Sequence, residues 1–457
     1  MAELKVDKIL PATGSSISLS ESGKTVLIPS GATLDASAAT LSGIGARVDY
    51  CTSVQSSPFT AAAGKGYFIN TGSAVTVTLP SSPSAGDEII VIDSTGQAAT
   101  NNITLGRNTN KIKGLCACAT LKTDRVGVRI IYSGSSQGWV TVTSANETPP
   151  VLDQTLYVTA TGGTVTTCGD FKIHIFTSSS DFVVSCGGNS NGSNTVDYLV
   201  VGGGGAGGNS NTSVSGGGGA GGYRTTYPSP ATGGLPVSVQ TYAITVGAGG
   251  TGAIATPGSA NPGNDSTFST ITSSGGGGGG NFGPLTAASG GSGGGGYSTN
   301  GASPGVGGAG NTPPVSPPQG NPGGNGYDGG PVSNLGAGGG GGAGAAGGSA
   351  SAPGTSSGSG GVGKAAAIFG SIPTAPSYGT PGPAPGRYFT GGGGGAHYNG
   401  TAGSGGAGGG GAGATNPSVG TAGTANTGGG GGGSCGPGLT GANGGSGVVI
   451  IRYKFQN

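Results

Sequence analysis

Few residues in this sequence have the type and spacing needed for catalytic or metal-binding chemistry. The chain contains two histidines, and one of them, His174, lies in the segment FKIHIF, whose pattern predicts a position on the face of a strand. Cys116 and Cys118 form a Cys-Ala-Cys pair, but no second pair of thiols or imidazoles follows at the spacing of a zinc site. Acidic residues are sparse, and no pair of carboxylates stands out for glycoside hydrolysis. The sequence therefore predicts no enzyme, no metal site and no bound cofactor.

One glycine pattern matches the dinucleotide-binding motif but lacks its context. GAGGTG, at 247–252, follows the predicted strand TYAITVG, as the motif G-x-G-x-x-G requires. The motif also requires a helix directly after it, and Pro257 argues against one. In a glycine-rich region the pattern also arises easily by chance. We therefore expect no nucleotide site here.

The remaining candidates for chemistry are side chains that recognise a ligand rather than react with one. Tyr, Arg, Asn and Ser recur in short segments between glycine runs, such as YRTTYPSP and SYGTPGPAPGRYF. A rigid scaffold that presents such residues on loops makes a recognition surface, because they combine flat contact area with adaptable hydrogen bonds. The alternative is that these aromatic residues pack over the ends of the scaffold as caps. The predicted receptor-binding residues are Tyr223, Arg224, Tyr227, Phe282, Tyr297, Tyr327, Asp328, Tyr378, Arg387, Tyr388, Phe389, His397 and Tyr398.

The elements that must position these side chains are the glycine runs. Of 457 residues, 111 are glycine, and most of them follow Val201, in runs such as 275–280, 336–348 and 428–433. Three interpretations compete. The first is a flexible coil, and the second is collagen, which needs glycine at every third position and does not fit NTPPVSPPQG. The third is a bundle of polyproline-II-type helices built mostly of glycine.

In such a bundle the backbone network replaces the hydrophobic core. Each helix has three residues per turn and no internal hydrogen bonds, so every N–H and C=O must find a partner on a neighbouring helix. Glycine permits that close approach because it has no Cβ. Strand-like segments at 199–201, 244–246 and 448–451 bracket the region and are predicted to pair into a small sheet that closes it. This bracketing favours the packed bundle over the flexible coil.

The predicted fold class is all-β plus a polyglycine-II-type helix bundle. Residues 1–48 contain short apolar segments too small to close a core, and they are interpreted as an attachment segment in a trimeric stalk. Residues 49–148 show alternating apolar runs separated by turn signals, which predict an antiparallel β-sandwich with Trp139 in its core. Residues 151–201 continue the strand pattern as a β connector. Residues 202–457 form the glycine-rich domain.

Composition excludes some partners and compartments. The net charge is +1 and no basic cluster occurs, which argues against nucleic acid. No apolar run reaches the length of a membrane helix, and the N-terminus lacks a signal-peptide core, so we expect synthesis in a cytoplasm and no membrane insertion. The six cysteines are too few for a disulfide framework. A disulfide between Cys168 and Cys186, formed after the protein leaves the cytoplasm, is one alternative. Free thiols are the favoured interpretation.

The order of strand, glycine runs and strand carries a resemblance to a known family. VDYLVVGGGGAGG, YAITVGAGGTG and GSGVVIIRY resemble the glycine-rich domains of bacteriophage tail fibres and tail-tip adhesins. The segment FTAAAGKGYFINTGSAVTVTLP and its continuation are similar to a small β domain of phage tail fibres, and AELKVDKILPATG resembles the first residues of such fibres. In the T-even-like adhesins of this class, polyglycine-II helices form a sandwich whose distal loops contact the host receptor. This sequence departs from that pattern by carrying its own stalk and β domains.

The resemblance implies a virion tail protein, expected as a homotrimer. Residues 1–48 would bind tail or adaptor proteins, and the glycine-rich domain would bind a host surface receptor, either a polysaccharide or an outer-membrane protein. Two alternatives stay open. One is a virion decoration protein without receptor specificity. The other is an ice-binding or surface-coating protein, which predicts flat Thr or Ala arrays and fits the Pro- and Tyr-rich loops poorly.

Overall fold

The structure, a computed structural model, is an all-β arrangement with no α-helix among the residues it describes. The predicted stalk, 1–48, lies outside these residues except for its last position. No helix in the described part of the chain has the length and apolar character needed to cross a bilayer. The described residues are 48–142, 156–190, 192–209, 213–227, 234–252, 259–281, 286–300, 303–327, 334–351, 354–369, 378–384 and 386–456.

Residues 48–142 form a sandwich of two sheets around one hydrophobic core. The strands are β1 (Asp49–Tyr50), β2 (Phe59–Thr60), β3 (Lys65–Ile69), β4 (Val75–Thr78), β5 (Glu88–Asp93), β6 (Ile103–Gly106), β7 (Ala119–Leu121), β8 (Gly127–Tyr132) and β9 (Trp139–Val142). One sheet has the order β1-β3-β5-β8-β9, and the other has the order β2-β4-β6-β7.

The sandwich is not antiparallel throughout, which corrects the expectation from sequence. β1, β3 and β5 pair in parallel in one sheet, and β2, β4 and β6 pair in parallel in the other. The chain passes to the opposite sheet between consecutive strands of one sheet, so each strand re-enters its sheet in the same direction, as parallel pairing requires. Only the pairs β5–β8, β8–β9 and β6–β7 are antiparallel.

The core of the sandwich is made of apolar side chains, as the alternating pattern predicts. Val75 and Val77 on β4 point inward, while the threonines between and after them are only partly buried. Leu79, Ile89 and Trp139 are fully buried, so the prediction that Trp139 is a core residue is confirmed. Burial of such side chains stabilises a fold by roughly 1.5–3 kcal/mol each.

The strands after the sandwich form three further sheets around and beside the glycine runs. They are β10 (Val158–Thr161), β11 (Thr164–Cys168), β12 (Phe171–Phe176), β13 (Ser180–Gly187), β14 (Thr195–Val201), β15 (Tyr223–Thr225), β16 (Leu235–Pro236), β17 (Gln240–Thr245), β18 (Ser266–Phe268), β19 (Ile271–Ser273), β20 (Lys364–Ala366), β21 (Thr380–Pro381), β22 (Arg387–Phe389) and β23 (Val448–Lys454). The sheet orders are β10-β13-β17-β18-β19, β11-β12-β23-β14-β15 and β20-β22-β21, with β16 also paired to β14.

The predicted closing sheet is formed in part. β14 and β23 pair antiparallel, with Leu199 opposite Ile450, so the chain on both sides of the glycine region does meet in one sheet. β17, which contains Ile244, instead pairs with β13 in the neighbouring sheet. Aromatic residues fill the space between these two sheets, and Phe182 packs at 6.0 Å from Phe268, ring centre to ring centre.

Between the strands, the glycine runs are extended segments whose hydrogen bonds repeat every three residues. The run that follows β14 shows the pattern: successive N–H groups donate to three different neighbouring segments in rotation, at N···O distances near 2.9 Å. The three neighbouring segments come from distant parts of the sequence. A hairpin would pair the run with one adjacent segment only, so this arrangement is a bundle. Residues 202, 205 and 208 donate to segment 216–222, residues 203 and 206 donate to segment 261–264, and residues 204 and 207 donate to segment 442–445.

The segments approach so closely that a side chain does not fit between them. A Cβ added at Gly204 would lie 2.1 Å from the carbonyl oxygen of Gly429, and one added at Gly393 would lie 2.0 Å from that of Gly431. Real Cβ atoms essentially never come within 3.0 Å of such a neighbour. Glycine is therefore required at these positions by the spacing of the backbones.

The glycine segments run between two ends, which we call the near end and the far end. At the near end they meet the strands, and Tyr223 and Phe389 lie in one hydrophobic cluster. At the far end Val214 and Ala396 lie in a separate cluster. The segment 214–222 connects the two clusters, and at about 3.1 Å per residue its length is roughly 25 Å.

Candidate functional site

The structure separates the predicted receptor-binding residues into two sets at opposite ends of the glycine segments. Phe282 and Asp328 lie outside the described residues. The others do not share one surface, because the two sets belong to different side-chain clusters and turns. The near-end set is Tyr223, Arg224, Tyr227, Tyr378, Arg387, Tyr388 and Phe389, and the far-end set is Tyr297, Tyr327, His397 and Tyr398.

Several of these side chains are buried over the ends of the glycine segments. This is the arrangement of the alternative in the sequence analysis, in which aromatic residues cap the scaffold. Tyr223, Tyr297, Tyr388, Phe389 and His397 are all buried. The hydroxyl of Tyr223 donates to the carbonyl oxygen of Ala365 at 3.1 Å. Side chains in this position fix the ends of the glycine segments, and they do not offer contact area to a macromolecular receptor.

The near-end arginine Arg387 holds a loop. Its Nε donates to the carbonyl oxygen of Tyr378 at 2.8 Å, and its guanidinium also donates to that of Gly379. Because a guanidinium has a fixed planar arrangement of donors, these bonds from β22 hold the chain where it enters β21. Arg387 and Tyr378 are therefore positioning residues in this structure.

Tyr227 packs against a cation that the sequence analysis did not single out. The guanidinium carbon of Arg452 lies 4.3 Å from the ring centre of Tyr227 and 3.8 Å from that of Phe171. Arg452 is buried and stands opposite Asp197 across β14 and β23. The only signal in the sequence was a lone arginine within the strand segment VVIIRYK, where burial between two rings cannot be foreseen.

His397 joins two turns at the far end in its neutral form. Its Nε2 lies 2.9 Å from the carbonyl oxygen of Gly354, which fixes the proton there, and its Nδ1 accepts from the N–H of Gly400. Burial lowers the pKa of His397 below its usual value, partly opposed by the bond to Gly354. The imidazole therefore acts as a neutral bridge between turns.

The exposed side chains beside the far-end tyrosines are uncharged and polar. Tyr327 and Tyr398 are half-buried, and Asn399, Thr401 and Thr415 beside them are exposed. Within the described turns of this end, no Asp, Glu, Lys or Arg occurs. Sequence reasoning named the tyrosines as site residues and counted asparagine among the recurring polar types, but it did not name Asn399, Thr401 or Thr415.

The near end carries a cavity of about 520 Å³ next to β14, β15 and β16. Arg224 and Lys364 both line it, and the described lining includes no Asp or Glu. The ammonium of Lys364 lies 5.9 Å from the ring centre of Tyr223. We call this cavity the near-end pocket. Its lining is Tyr198, Tyr223, Arg224, Thr225, Thr226, Gly234, Leu235, Pro236, Ser316, Pro317, Pro318 and Lys364.

The described residues bring together no group of three or more His, Cys, Asp or Glu side chains that could hold a metal ion.

All six cysteines are free thiols, including Cys168 and Cys186, so the structure contains no bond between those two. Cys186 is buried in β13, and Cys116 of the sandwich donates to the neighbouring carbonyl oxygen of Ser185 at 3.2 Å.

Fold and site together define a domain in which tightly packed glycine backbone, closed by β-sheets, holds short polar turns at one end and a cationic pocket at the other. The chain belongs to the glycine-rich domain family, whose model matches residues 177–454. The match begins just after β12 and ends with the last residue of β23, so the connector strands β13 and β14 are part of the same family domain. No curated protein matches the chain.

Proposed function

We propose that the protein is a phage tail-fibre adhesin in which rigid polyglycine-II helices hold the far-end turns against a host cell surface. The observation that carries this proposal is the three-residue rotation of hydrogen bonds along segments such as 202–208. A polyglycine-II helix has three residues per turn and no internal hydrogen bonds. Each residue in one turn then donates in a different direction, as these segments do.

Rigidity is what such a scaffold supplies to recognition. Glycine loses more conformational freedom on folding than any other residue, so a lone glycine segment would be mobile. Here most N–H groups of the described glycine runs donate to another segment, and a run such as 202–208 has several neighbouring segments. Turns that connect such segments are held in place before a ligand arrives, and less entropy is lost on binding.

The far-end turns are the part of this scaffold best suited to a host receptor. Half-buried Tyr398 supplies flat contact area, and exposed Asn399 and Thr401 supply hydrogen bonds without a charge to desolvate. Such a surface fits a neutral polysaccharide or the loops of an outer-membrane protein. In this proposal residues 1–48 attach the chain to the virion tail, the fibre is a homotrimer, and the protein carries out no catalysis.

Competition for adsorption tests the proposal. Purified full-length protein should block adsorption of the virus that carries it to its host cells in a dose-dependent way. The double variant Thr401→Glu, Thr415→Glu places carboxylates on the far end and should block at least about tenfold less well. Thr123→Glu, at an exposed position of the sandwich, is the matched control and should block like the wild type.

Two outcomes separate the parts of this proposal. If saturating amounts of folded wild-type protein leave adsorption unchanged, the adhesin function is rejected and a decoration role gains support. If the wild type blocks and the double variant blocks equally well, the far-end turns are not the contact surface.

A further inference from the structure

The near-end pocket lies where the positive charge of the glycine-rich domain is concentrated. Arg224 and Lys364 line it, and Arg387 lies on the strand paired with that of Lys364, β22 beside β20. The carboxylate on β14 is that of Asp197. It accepts a hydrogen bond from Thr226, and its residue is paired with Arg452 on β23, not with Arg224 or Lys364. The pocket therefore presents two cations that no described carboxylate neutralises.

The polar groups in this pocket have unused hydrogen-bonding capacity. Among the described residues, the Lys364 ammonium forms no hydrogen bond and no ion pair, and the Tyr198 hydroxyl has no hydrogen-bond partner. Arg224 donates from Nη1 to the carbonyl oxygen of Thr272 at 3.3 Å, which leaves most of its donors available. Partial burial lowers the pKa of Lys364 from its usual value because it disfavours the charged ammonium, and an anion beside the ammonium would offset that cost. Each of these groups can donate, so together they fit a ligand with several acceptors.

Besides its polar groups, the pocket is lined by aromatic and apolar residues. They include Tyr198 and Tyr223, whose rings are flat, and Leu235, Pro236 and Pro317. A cavity of about 520 Å³ lies within the range of roughly 300–1,000 Å³ that small-molecule sites occupy. The pocket is thus larger than a simple anion needs, and its walls fit the C–H faces of a ring.

We propose that the near-end pocket binds one acidic sugar, a pyranose that bears a carboxylate. Arg224 and Lys364 bind the carboxylate, because a guanidinium offers paired donors to it and an ammonium adds a point charge. The Tyr198 hydroxyl bonds a ring hydroxyl, and the tyrosine and proline faces pack on the ring. This site lies at the end opposite the turns proposed for host attachment, so it does not depend on that proposal.

A ligand series on the wild-type protein tests this specificity without any variant. Titration calorimetry of the full-length chain should show saturable binding of glucuronate. Glucose, with the same ring and no carboxylate, should bind at least about tenfold more weakly, and so should acetate and inorganic phosphate, which lack the ring. Glucuronate affinity should fall as salt is raised. Absence of saturable glucuronate binding, or equal binding of acetate or phosphate, overturns the proposal.

Two variants locate the site. Arg224→Gln and Lys364→Gln should each weaken glucuronate binding by at least about tenfold, and Lys364→Arg, which keeps the charge, should retain most of it. Lys122→Gln, at an exposed position of the sandwich, is the matched control and should bind like the wild type. Unchanged melting temperature shows that each variant is folded. If glucuronate binds the folded Gln variants as tightly as the wild type, the ligand is not in this pocket. The far-end variant Thr401→Glu, Thr415→Glu should bind glucuronate normally, so the two proposals fail or succeed independently.

Discussion

The sandwich and the glycine bundle exclude water from their interiors in two different ways. In the sandwich, side chains such as Ile89 and Leu105 fill the space between two sheets. In the bundle, the interior is backbone, and the groups that meet there are N–H and C=O. The first interior depends on apolar area, which tolerates exchange of one hydrophobic residue for another of similar size. The second depends on distance between backbones, which tolerates almost no added atom.

The two interiors also differ in where their stability comes from. Apolar burial in the sandwich contributes about 25 cal/mol per Å². A backbone hydrogen bond in the bundle contributes a net of only about 0.5–1.5 kcal/mol, and the entropy lost by glycine opposes it. The bundle is therefore stable only when many segments bond to one another at once. A local change should damage it more widely than a comparable change damages the sandwich.

The largest effect should come from one methyl group in the bundle. In Gly204→Ala the new Cβ would lie 2.1 Å from the carbonyl oxygen of Gly429. The two segments must separate, and the bonds on both lengthen together, so we expect a loss above about 3 kcal/mol, beyond ordinary overpacking of a core. Hydrogen exchange should show the slow glycine amides of the wild-type bundle becoming fast.

The matched control for this change lies in the sandwich. Gly127 in β8 has an ordinary φ, and the nearest atom to an added Cβ is Ile92 Cγ1 at 3.9 Å. Gly127→Ala should therefore change stability by less than about 1 kcal/mol. If Gly204→Ala is as mild as Gly127→Ala, the backbones do not approach as closely as described.

The next largest effect should come from removing side-chain volume in the sandwich. Leu79 is fully buried, and Leu79→Ala should cost about 2–5 kcal/mol by lost transfer free energy and a cavity. The only tryptophan, Trp139, lies in the same core, so its fluorescence reports unfolding of the sandwich alone. Amide exchange in the glycine bundle should not change.

Val54→Ala provides the control for this prediction. Val54 is 52% exposed, and its truncation should shift the fluorescence midpoint by an amount corresponding to less than about 0.5 kcal/mol. Equal shifts for the two variants would contradict the assignment of the core. A shift in bundle exchange with Leu79→Ala would show that the two regions unfold as one unit.

Sequence patterns identify the strands of this protein better than they identify how the strands are arranged. The pattern in VTVT shows which side of β4 is buried, because alternation follows from the pleat. It contains nothing about the neighbouring strand, and β4 pairs in parallel with β2 and β6. The pairing of Leu199 with Ile450 could be expected only because two apolar segments bracket one glycine region.

The residues of the candidate sites were harder to predict from the sequence than the strands. A tyrosine beside a glycine run is equally consistent with a cap and with a contact residue, and only burial separates Tyr297 from Tyr398. Lys364 was overlooked, although it is an isolated charge in a nearly uncharged region. Its meeting with Arg224 depends on the folding of segments more than a hundred residues apart, and local pattern does not encode that.

Acidification should weaken the bundle before the sandwich. His174, on β12 in the sheet that also contains β14 and β23, and His397, in the glycine-rich domain, are the two histidines of the chain and are both buried, and burial lowers the pKa of both. Their folded pKa values lie below the unfolded value of about 6.5, so the unfolded state binds protons first. The stability they contribute is present above about pH 6.5 and is lost as the pH falls below it. Bundle amides should therefore exchange faster at about pH 5.5 than at about pH 7.5, after correction for intrinsic rates.

The sandwich has its own titrating group at a lower pH. Burial alone would raise the pKa of Asp93, but hydrogen bonds from Thr71 and from the N–H groups of Arg125, Gly96 and Ala98 bring it below its usual value. Its contribution is therefore lost only below about pH 3.9.

A histidine variant tests the acid sensitivity of the bundle. His397→Gln keeps a neutral donor and acceptor and should reduce the pH dependence of the bundle. The prediction is contradicted if, as the pH is lowered, the Trp139 fluorescence signal of the folded sandwich is lost before the bundle amides lose their protection from exchange.

The smallest effect should come from a surface ion pair in the sandwich. Lys65 and Asp49 form a salt bridge between β3 and β1 that is largely exposed, and the chain as a whole is only 7% charged. Exposed pairs contribute little because water and salt screen them. Asp49→Asn should leave the fluorescence midpoint unchanged, and the wild-type midpoint should not move between about 0.05 and about 0.5 M NaCl. A clear drop in either experiment would mean that surface charge, and not Leu79 and its neighbours, holds the sandwich together. The same salt series on the bundle should also show no change, because backbone hydrogen bonds between uncharged segments have no ion pair to screen.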